Sequence, residues 1–156
     1  MGLRGDFWRF FYRAISHDRI MIGKNFCRRK NVDIHVSENG RIRIGDNVFF
    51  NKYCTVASKL EIIIGNSTIF GESVRVYDSN HVFSDPGQEI YKQGFNAEKI
   101  TIGEDCWIGS NTVILKGVSI GNHSIIGAGC VIDFDVPEWT IVKRSASSID
   151  QIERRH

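Results

Sequence analysis

One histidine in this chain lies in a segment whose composition suits chemistry. His81 ends a short run of polar and aromatic side chains at residues 77–81. A neutral imidazole accepts a proton readily near neutral pH, which makes histidine a frequent general base. An isolated loop histidine is usually a solvated side chain. Residues 77–99, however, interrupt an otherwise regular repeat, and loops of that kind often carry function. We therefore predict that His81 has a functional role.

A repeat of six residues defines the elements that must position this histidine. A period of six fits neither an α-helix nor simple strand alternation, and a fixed internal period is typical of repeat architectures. The pattern predicts an all-β parallel β-helix, in which three repeats close one triangular coil and aliphatic side chains stack inside. The repeat is carried by six isoleucines, Ile102, Ile108, Ile114, Ile120, Ile126 and Ile132.

Small residues accompany the isoleucines at fixed offsets. Glycine directly follows four of them, as at Gly103 and Gly109, where we expect it to relax a tight turn because it lacks a Cβ. A small or modest side chain comes four residues after each isoleucine, and Cys106 and Cys130 occupy this position. Cys54 holds the equivalent place after an earlier phenylalanine. We therefore predict that these thiols are core residues in a reducing compartment, since no CxxC spacing indicates zinc.

Residues 1–19 are predicted to form an N-terminal amphipathic helix or cap. A helix this short needs a surface to pack on, and we expect it to cover the open strand edges of the first coil. Trp8 and Tyr12 leave a second interpretation open, namely an aromatic face for a membrane surface or a partner. The apolar side chains at helical spacing within residues 3–16 are Leu3, Phe7, Phe10, Phe11, Ala14 and Ile15.

The β-helix is expected to occupy residues 20–137. Residues 20–43 predict irregular early coils, because the six-residue register slips there. The ladder is clear from Ile44, and one extended loop at about residues 77–99 interrupts it. Pro137 is expected to end strand pairing because it lacks an N–H donor. Residues 138–156 would then form a C-terminal tail, extended at first and with a short helix around residues 149–154.

The composition excludes several classes of protein. The net charge of +2 gives no indication of a nucleic acid or other polyanion partner, and we expect the basic clusters at residues 28–30 and 154–155 to be solvated surface. No apolar run is long enough to span a membrane, and the first residues do not have the pattern of a cleavable signal peptide. We expect a soluble, cytoplasmic protein.

Several of these segments together resemble the hexapeptide-repeat acetyltransferases. The resemblance rests on the pair Asn80-His81, on residues 102–111 (IGEDCWIGSN) and on residues 120–129, and it covers roughly residues 40–140. It is strongest to the branch that contains galactoside, maltose and capsule O-acetyltransferases. The resemblance implies a left-handed parallel β-helix, an acyltransferase domain over residues 20–137, and a homotrimer with active sites between neighbouring subunits. Acetyl-CoA would be the co-substrate.

The resemblance assigns roles around the acceptor. His81 matches the histidine that acts as general base. Asn51 matches an asparagine that contacts the acceptor, and Asn80 lies beside the base. Trp107 matches a tryptophan that walls both the pantetheine and the acceptor. An acidic acceptor contact of the galactoside branch aligns with Lys59, which implies a different acceptor here.

The resemblance also assigns coenzyme contacts. Ser110 and Ala128 match positions whose backbone meets the thioester and the pantetheine. The usual basic motif near the end of the family sequence is replaced here by residues 143–147 (KRSAS). Lys143 and Arg144 are therefore our candidates for the coenzyme phosphates.

The implied function is acetyl transfer from acetyl-CoA to a hydroxyl of a sugar or cell-surface polysaccharide, or its precursor. Alternatives are N-acetylation of an amino sugar, acetylation of an antibiotic or other xenobiotic, and a non-catalytic scaffold. A zinc-dependent carbonic anhydrase of the same fold would need three histidines at one site. Only His81 and His123 lie in the main repeat region near a predicted cleft, so we expect no metal.

Overall fold

The structure, a computed structural model, describes residues 2–37, 39–144 and 150–154, with side chains described for residues 7–37 and 39–144. It begins with one α-helix, α1 (Gly2–Ser16), and continues as a solenoid of short parallel strands. The predicted fold class, an all-β left-handed parallel β-helix with a short N-terminal helix, is confirmed.

Three strands make each coil, and one hairpin interrupts the series. The first three coils contain β1 (Ile20–Ile22), β2 (Cys27–Arg28), β3 (Asp33–Val36), β4 (Arg41–Ile44), β5 (Phe49–Phe50), β6 (Thr55–Ser58), β7 (Glu61–Ile64), β8 (Ile69–Phe70) and β9 (Arg75–Tyr77). The hairpin is β10 (Ser79–His81) and β11 (Phe95–Ala97). The later coils contain β12 (Ile100–Ile102), β13 (Trp107–Ile108), β14 (Val113–Ile114), β15 (Ser119–Ile120), β16 (Ile125–Ile126) and β17 (Val131–Ile132), and the chain ends with β18 (Thr140–Arg144) and β19 (Asp150–Arg154).

Stacked strands form the three faces of a prism. The first face is β1-β4-β7-β12-β15, the second runs from β2 to β18, and the third is β3-β6-β9-β14-β17. Equivalent residues pair between coils, as Ile102 does with Ile64 and Ile120. All six isoleucines of the ladder are at most 2% exposed, as are the small residues four positions later. The ladder is therefore the core that sequence analysis predicted.

Glycine in the ladder is required by the close approach of neighbouring coils and not, as predicted, by the conformation of the turn. A Cβ on Gly109 would lie 2.6 Å from the backbone nitrogen of Ala128 in the next coil. The left-handed residue of that turn is Asn111, with a φ of 60°, two positions later. Close approach between coils thus requires glycine at this position, and the turn itself is made by asparagine, which tolerates that conformation.

All irregularities of the repeat occur at one edge of the prism, where the third face leads into the first. We call this edge the third–first corner. Residues 37–40, 59–60 and 78–99 are inserted there, whereas the six-residue spacing holds at the other two corners. The prediction of irregular coils for residues 20–43 was wrong, because β1 pairs with β4 in full register and only the corner after β3 is longer.

The largest insertion is itself ordered. β10 and β11 pair antiparallel, with His81 opposite Phe95, and a short 3-10 helix (Ile90–Lys92) lies between them. The predicted extended loop is thus closed at its base by a two-stranded hairpin. This hairpin holds residues 79–81 against the solenoid.

Strand pairing continues beyond Pro137, contrary to the prediction. Val136 still bridges to Ile120, and β18 adds to β16 on the second face, with Val142 fully buried. Residues 150–154 form β19, which pairs antiparallel with β18, and not the predicted helix. The missing N–H of one proline did not stop the solenoid, since the next strand begins three residues later.

The helix α1 covers the first coil with the face that we did not predict. The first-coil strands β1, β2 and β3 are sheet edges, yet Ile20, Phe26 and Val32 are buried. Tyr12 packs into the core beside them, Ser16 is buried, and Trp8 packs partly against the same cluster. The predicted inward residues, among them Phe7, Phe10, Phe11 and Ile15, are exposed instead. The helix is therefore a lid, but its broad apolar face points outward.

The four cysteines are free thiols. Cys54, Cys106 and Cys130 are buried as predicted, whereas Cys27 is exposed. Burial raises the pKa of the Cys54 and Cys106 thiols, because it disfavours the charged thiolate.

We expect iodoacetamide to label Cys27 in the native protein and the three buried thiols only after unfolding, since the exposed thiolate is the reactive form. Mass spectrometry of labelled protein checks this, and rapid labelling of all four thiols in the native protein would contradict the assignment.

The raised pKa values of the Cys54 and Cys106 thiols also make the stability of the fold depend on pH. The unfolded chain loses these protons first, so stability is highest below the ordinary thiol pKa and declines as the pH rises through and above it.

Candidate active site

The predicted base lies on the hairpin at the third–first corner. His81 is exposed on β10, and its ring lies 4.3 Å from the ring of Phe95 on β11, tilted by 37°. Lys59 places its Nζ 3.7 Å from the centroid of the same phenylalanine ring. The ammonium group and the imidazole thus share one aromatic support. This arrangement leaves the imidazole accessible to a substrate hydroxyl.

A buried carboxylate, which sequence analysis missed, anchors the hairpin. Asp78 is fully buried and immediately precedes β10. Its Oδ2 accepts the hydroxyl of Ser58 at 2.6 Å and the N–H of Leu60 at 2.9 Å. Its Oδ1 accepts the N–H of Lys59 at 2.8 Å, and its backbone carbonyl accepts the N–H of Glu98 at 2.9 Å. Asp78 therefore ties both ends of the insertion to the coil below.

A second group of predicted residues lies along another edge, where the second face leads into the third. We call this edge the second–third corner. All three predicted residues occupy its turns: Asn51 follows β5, and Ser110 and Ala128 follow β13 and β16 in two successive later coils. The stacking is tight: a Cβ on Gly71 would lie 2.6 Å from the Ser110 nitrogen. The structure thus brings these three positions together in one column along the prism.

Two backbone N–H groups of this corner are available to a ligand. The Ser110 hydroxyl accepts the N–H of Glu72 in the coil below, at 3.1 Å. The equivalent acceptor for the Ser110 N–H would be the side chain at position 128, but alanine has none. In the described part of the chain, neither the Ser110 N–H nor the Ala128 N–H donates a hydrogen bond. Such donors suit a thioester oxygen or an amide carbonyl.

Trp107 lies beside this corner on the second face. It is 52% exposed and pairs with Ile69 below and Ile125 above. Ile69 is also exposed, at 43%, so the two side chains form an apolar strip next to Ser110. Such a strip could hold the uncharged part of an extended ligand.

Two basic residues lie beside the last turn of this column, the turn that carries Ala128. Lys143 and Arg144 follow the buried part of β18, and both are exposed. A guanidinium nitrogen of Arg144 lies 3.9 Å from the point where a Cβ on Gly129 would be, and the Lys143 Cα is 3.6 Å from the same point on Gly127. Both residues therefore lie close to Ala128 along the chain's fold, and the Arg144 guanidinium is near enough to this corner to meet a phosphate group.

One protomer does not bring the two groups together. The turns that carry Ser110 and Ala128 lead into the third face, and His81 follows the far end of that face. His81 and the column of Ser110 and Ala128 thus occupy different corners of the same prism. The sequence-based prediction placed both groups in one site between neighbouring subunits.

The described residues contain no group of three or more His, Cys, Asp or Glu side chains that could hold a metal ion. His123 lies at the corner between the first and second faces. Its Nδ1 is 3.0 Å from Asp105, and its ring stacks on Trp139 at 4.1 Å.

The stacked six-residue coils and the inserted histidine hairpin define a hexapeptide-repeat protein. Residues 99–133 match the family described as bacterial transferase hexapeptide (six repeats). The chain belongs to the hexapeptide-repeat acetyltransferase family.

Two curated relatives and one solved protein illustrate this membership. The galactoside O-acetyltransferase of Escherichia coli (strain K12) is 33% identical over 105 residues, which cover 67% of this chain and 50% of the relative. That of Lactococcus lactis subsp. lactis (strain IL1403) is 31% identical over 99 residues, or 62% of this chain and 46% of the relative. A hexapeptide-repeat containing acetyltransferase from Vibrio cholerae superposes with a TM-score of 0.76 at 27% identity, covering 99% of this chain and 82% of that one.

The Vibrio cholerae protein has also been solved with acetyl coenzyme A. In that complex the TM-score is 0.67 at 26% identity, with 96% of this chain and 77% of the other covered. The present chain spans about half the length of the two curated relatives.

In the described part of the chain, no helix is long and apolar enough to cross a membrane.

Proposed function

We propose that this protein transfers an acetyl group from acetyl-CoA to a hydroxyl of a sugar, or of a cell-surface polysaccharide or its precursor. The observation that carries the proposal is the second–third corner. There, the unpaired N–H groups of Ser110 and Ala128 stand in line with Lys143 and Arg144. Carbonyl and thioester oxygens suit the first pair, and phosphates suit the second. Coenzyme A presents both kinds of group along one extended chain.

Acetyl transfer requires only one side chain that first accepts and then returns a proton. The acceptor hydroxyl attacks the thioester carbon while the imidazole of His81 takes its proton. Negative charge develops on the thioester oxygen, where the Ser110 N–H can stabilise it. The carbon–sulfur bond then breaks, and the imidazolium returns the proton to the departing thiolate. The products are an acetyl ester and free coenzyme A, and no thiol of the protein takes part.

The separation of the two corners supports an oligomeric site. His81 of one copy would face the Ser110 column of another, and three prisms arranged around a common axis would complete three equivalent sites. We therefore propose a homotrimer. Sedimentation equilibrium should give a particle of three chains, and an active, stable monomer would contradict this arrangement.

The acceptor side of the site differs in charge from the galactoside branch. Lys59 lies over Phe95, beside His81, so a cation stands near the proposed acceptor position. Asn51 and Asn80 add amide groups that can bind hydroxyls. The acceptor would therefore meet an ammonium group beside the proposed base. A panel of neutral, acidic and amino sugars would identify it.

We expect Trp107→Ala to raise the KM for acetyl-CoA or for the acceptor by about tenfold, because the apolar strip beside Ser110 would be lost. Steady-state kinetics with each substrate varied in turn measure this. Trp139→Ala is the matched control, since Trp139 is 47% exposed but lies at a different corner, against His123. Unchanged KM values for both substrates in the Trp107 variant would place the ligand elsewhere.

A further inference from the structure

The outward face of α1 has no partner within the described chain. Phe7 is 59% exposed, Phe10 68%, Phe11 40% and Ile15 56%. At 100° per residue these side chains, together with Ala14, lie on one side of the helix, and Trp8 and Tyr12 face the solenoid on the other. The helix could have covered the first coil without four large apolar residues on its outer side. Their presence indicates a second surface to which α1 binds.

The position of the helix directs this face away from the active site. Arg28 stacks on Trp8, with its Cζ 3.7 Å from the ring centroid, and so fixes α1 against the first coil. The hairpin that carries His81 leaves the solenoid two coils further along. The apolar face of α1 therefore points out from the N-terminal end of the prism.

The charge of the chain is concentrated at this same end. Residues 1–30 contain eight Lys and Arg and two Asp, a net charge of +6, whereas the remaining residues carry −4. Arg9, Arg13, Arg29 and Lys30 are exposed around the helix and the first coil. The overall value of +2 conceals this asymmetry, which is typical of proteins that meet an anionic surface.

We infer that the N-terminal end of this protein binds the surface of an anionic lipid bilayer. Aromatic and aliphatic side chains on one face of a helix, flanked by arginine, are the composition of helices that lie in a membrane interface. The apolar side chains would enter the boundary between headgroups and acyl chains, and the basic rim would meet anionic headgroups. A second copy of the same end is a poorer partner, because two ends of charge +6 would repel. Nucleic acid would satisfy the arginines but not the phenylalanines.

Co-sedimentation of the full chain with lipid vesicles tests this inference. The wild-type protein should bind vesicles of phosphatidylcholine and phosphatidylglycerol at least about tenfold more tightly than vesicles of phosphatidylcholine alone, since each basic residue near the surface contributes. The double variant Phe7→Ser/Phe10→Ser should lose at least about tenfold of that affinity, because two apolar side chains no longer insert. Phe83→Ser is the matched control, as Phe83 is 75% exposed but lies in the hairpin insertion.

Two further measurements make the outcome decisive. The double variant should melt at the wild-type temperature, because its side chains are exposed in the native protein. The variant Arg9→Gln/Arg29→Gln should weaken binding to the anionic vesicles alone. The inference is overturned if the wild-type protein binds neither kind of vesicle, or if the phenylalanine variant binds as tightly as wild type. It is also overturned if that variant changes the sedimentation of the lipid-free protein, since the face would then belong to a contact between copies.

Discussion

Replacing His81 by asparagine should lower kcat by at least about 100-fold, the usual contribution of a general base. Asparagine keeps a polar side chain of similar reach but cannot accept a proton in the reaction. Coenzyme binding should be nearly unchanged, because the substitution removes none of the proposed coenzyme contacts at Ser110, Ala128 and the basic residues of β18. Steady-state release of coenzyme A and calorimetric titration with acetyl-CoA measure the two effects separately.

The matched control is the same substitution at His123. That residue has a φ of 60°, a conformation that asparagine tolerates well, so the variant should fold. Its ring packs against Trp139, away from the hairpin, and we expect wild-type turnover. Wild-type kcat in a folded His81→Asn variant would remove His81 from the mechanism.

Replacing Asp78 by alanine should reduce the free energy of unfolding by roughly 3 kcal/mol, because two backbone N–H groups would lose their Asp78 acceptor and the Ser58 hydroxyl would keep only the Arg41 carbonyl, at 3.1 Å. The hairpin would lose its attachment at the same time. We therefore expect kcat to fall by about tenfold or more even under conditions where the variant is folded, since misplacing a base by an ångström is costly. Urea unfolding and coenzyme A release check the two parts.

Asp85→Ala is the control for this variant. Asp85 belongs to the same insertion, but its exposed carboxylate accepts only the local N–H of Gly87, at 2.9 Å. Its loss should change stability by less than about 0.5 kcal/mol. If Asp78→Ala unfolds at the wild-type urea concentration, the buried carboxylate is not the anchor that we describe.

The ladder from Ile44 onward could be predicted because each coil repeats the same physical requirement. An aliphatic side chain must fill the prism every six residues, and a small one must fit near the corner. The inward direction of the Asp78 side chain could also have been predicted from the repeat. Asp78 lies two residues after the inward Val76, as Ser58 lies two residues after Val56, so strand alternation points its carboxylate inward. We missed it because the repeat breaks at that point.

The inner face of α1 could not be predicted from hydrophobicity alone. The usual assumption places the apolar residues inside, which is correct when burial in the same chain is their only purpose. Here Tyr12, Trp8 and Ser16 fit the first coil, and the phenylalanines remain outside. The free N–H groups of Ser110 and Ala128 could not be predicted either. Whether such an N–H group has an acceptor depends on which side chain lies one coil above. That neighbour follows from the strand pairing of the folded prism.

The central claim is that this chain moves acetyl groups from acetyl-CoA by means of His81. The most direct test follows coenzyme A release with a thiol reagent, using the wild-type protein, His81→Asn and His123→Asn against a panel of acidic and neutral glycans. We expect coenzyme A release that depends on one class of glycan. The His123 variant should retain this release, and the His81 variant should lose at least about 100-fold of it. Equal glycan-dependent release by all three proteins, or none by the wild type with any acceptor, would contradict it.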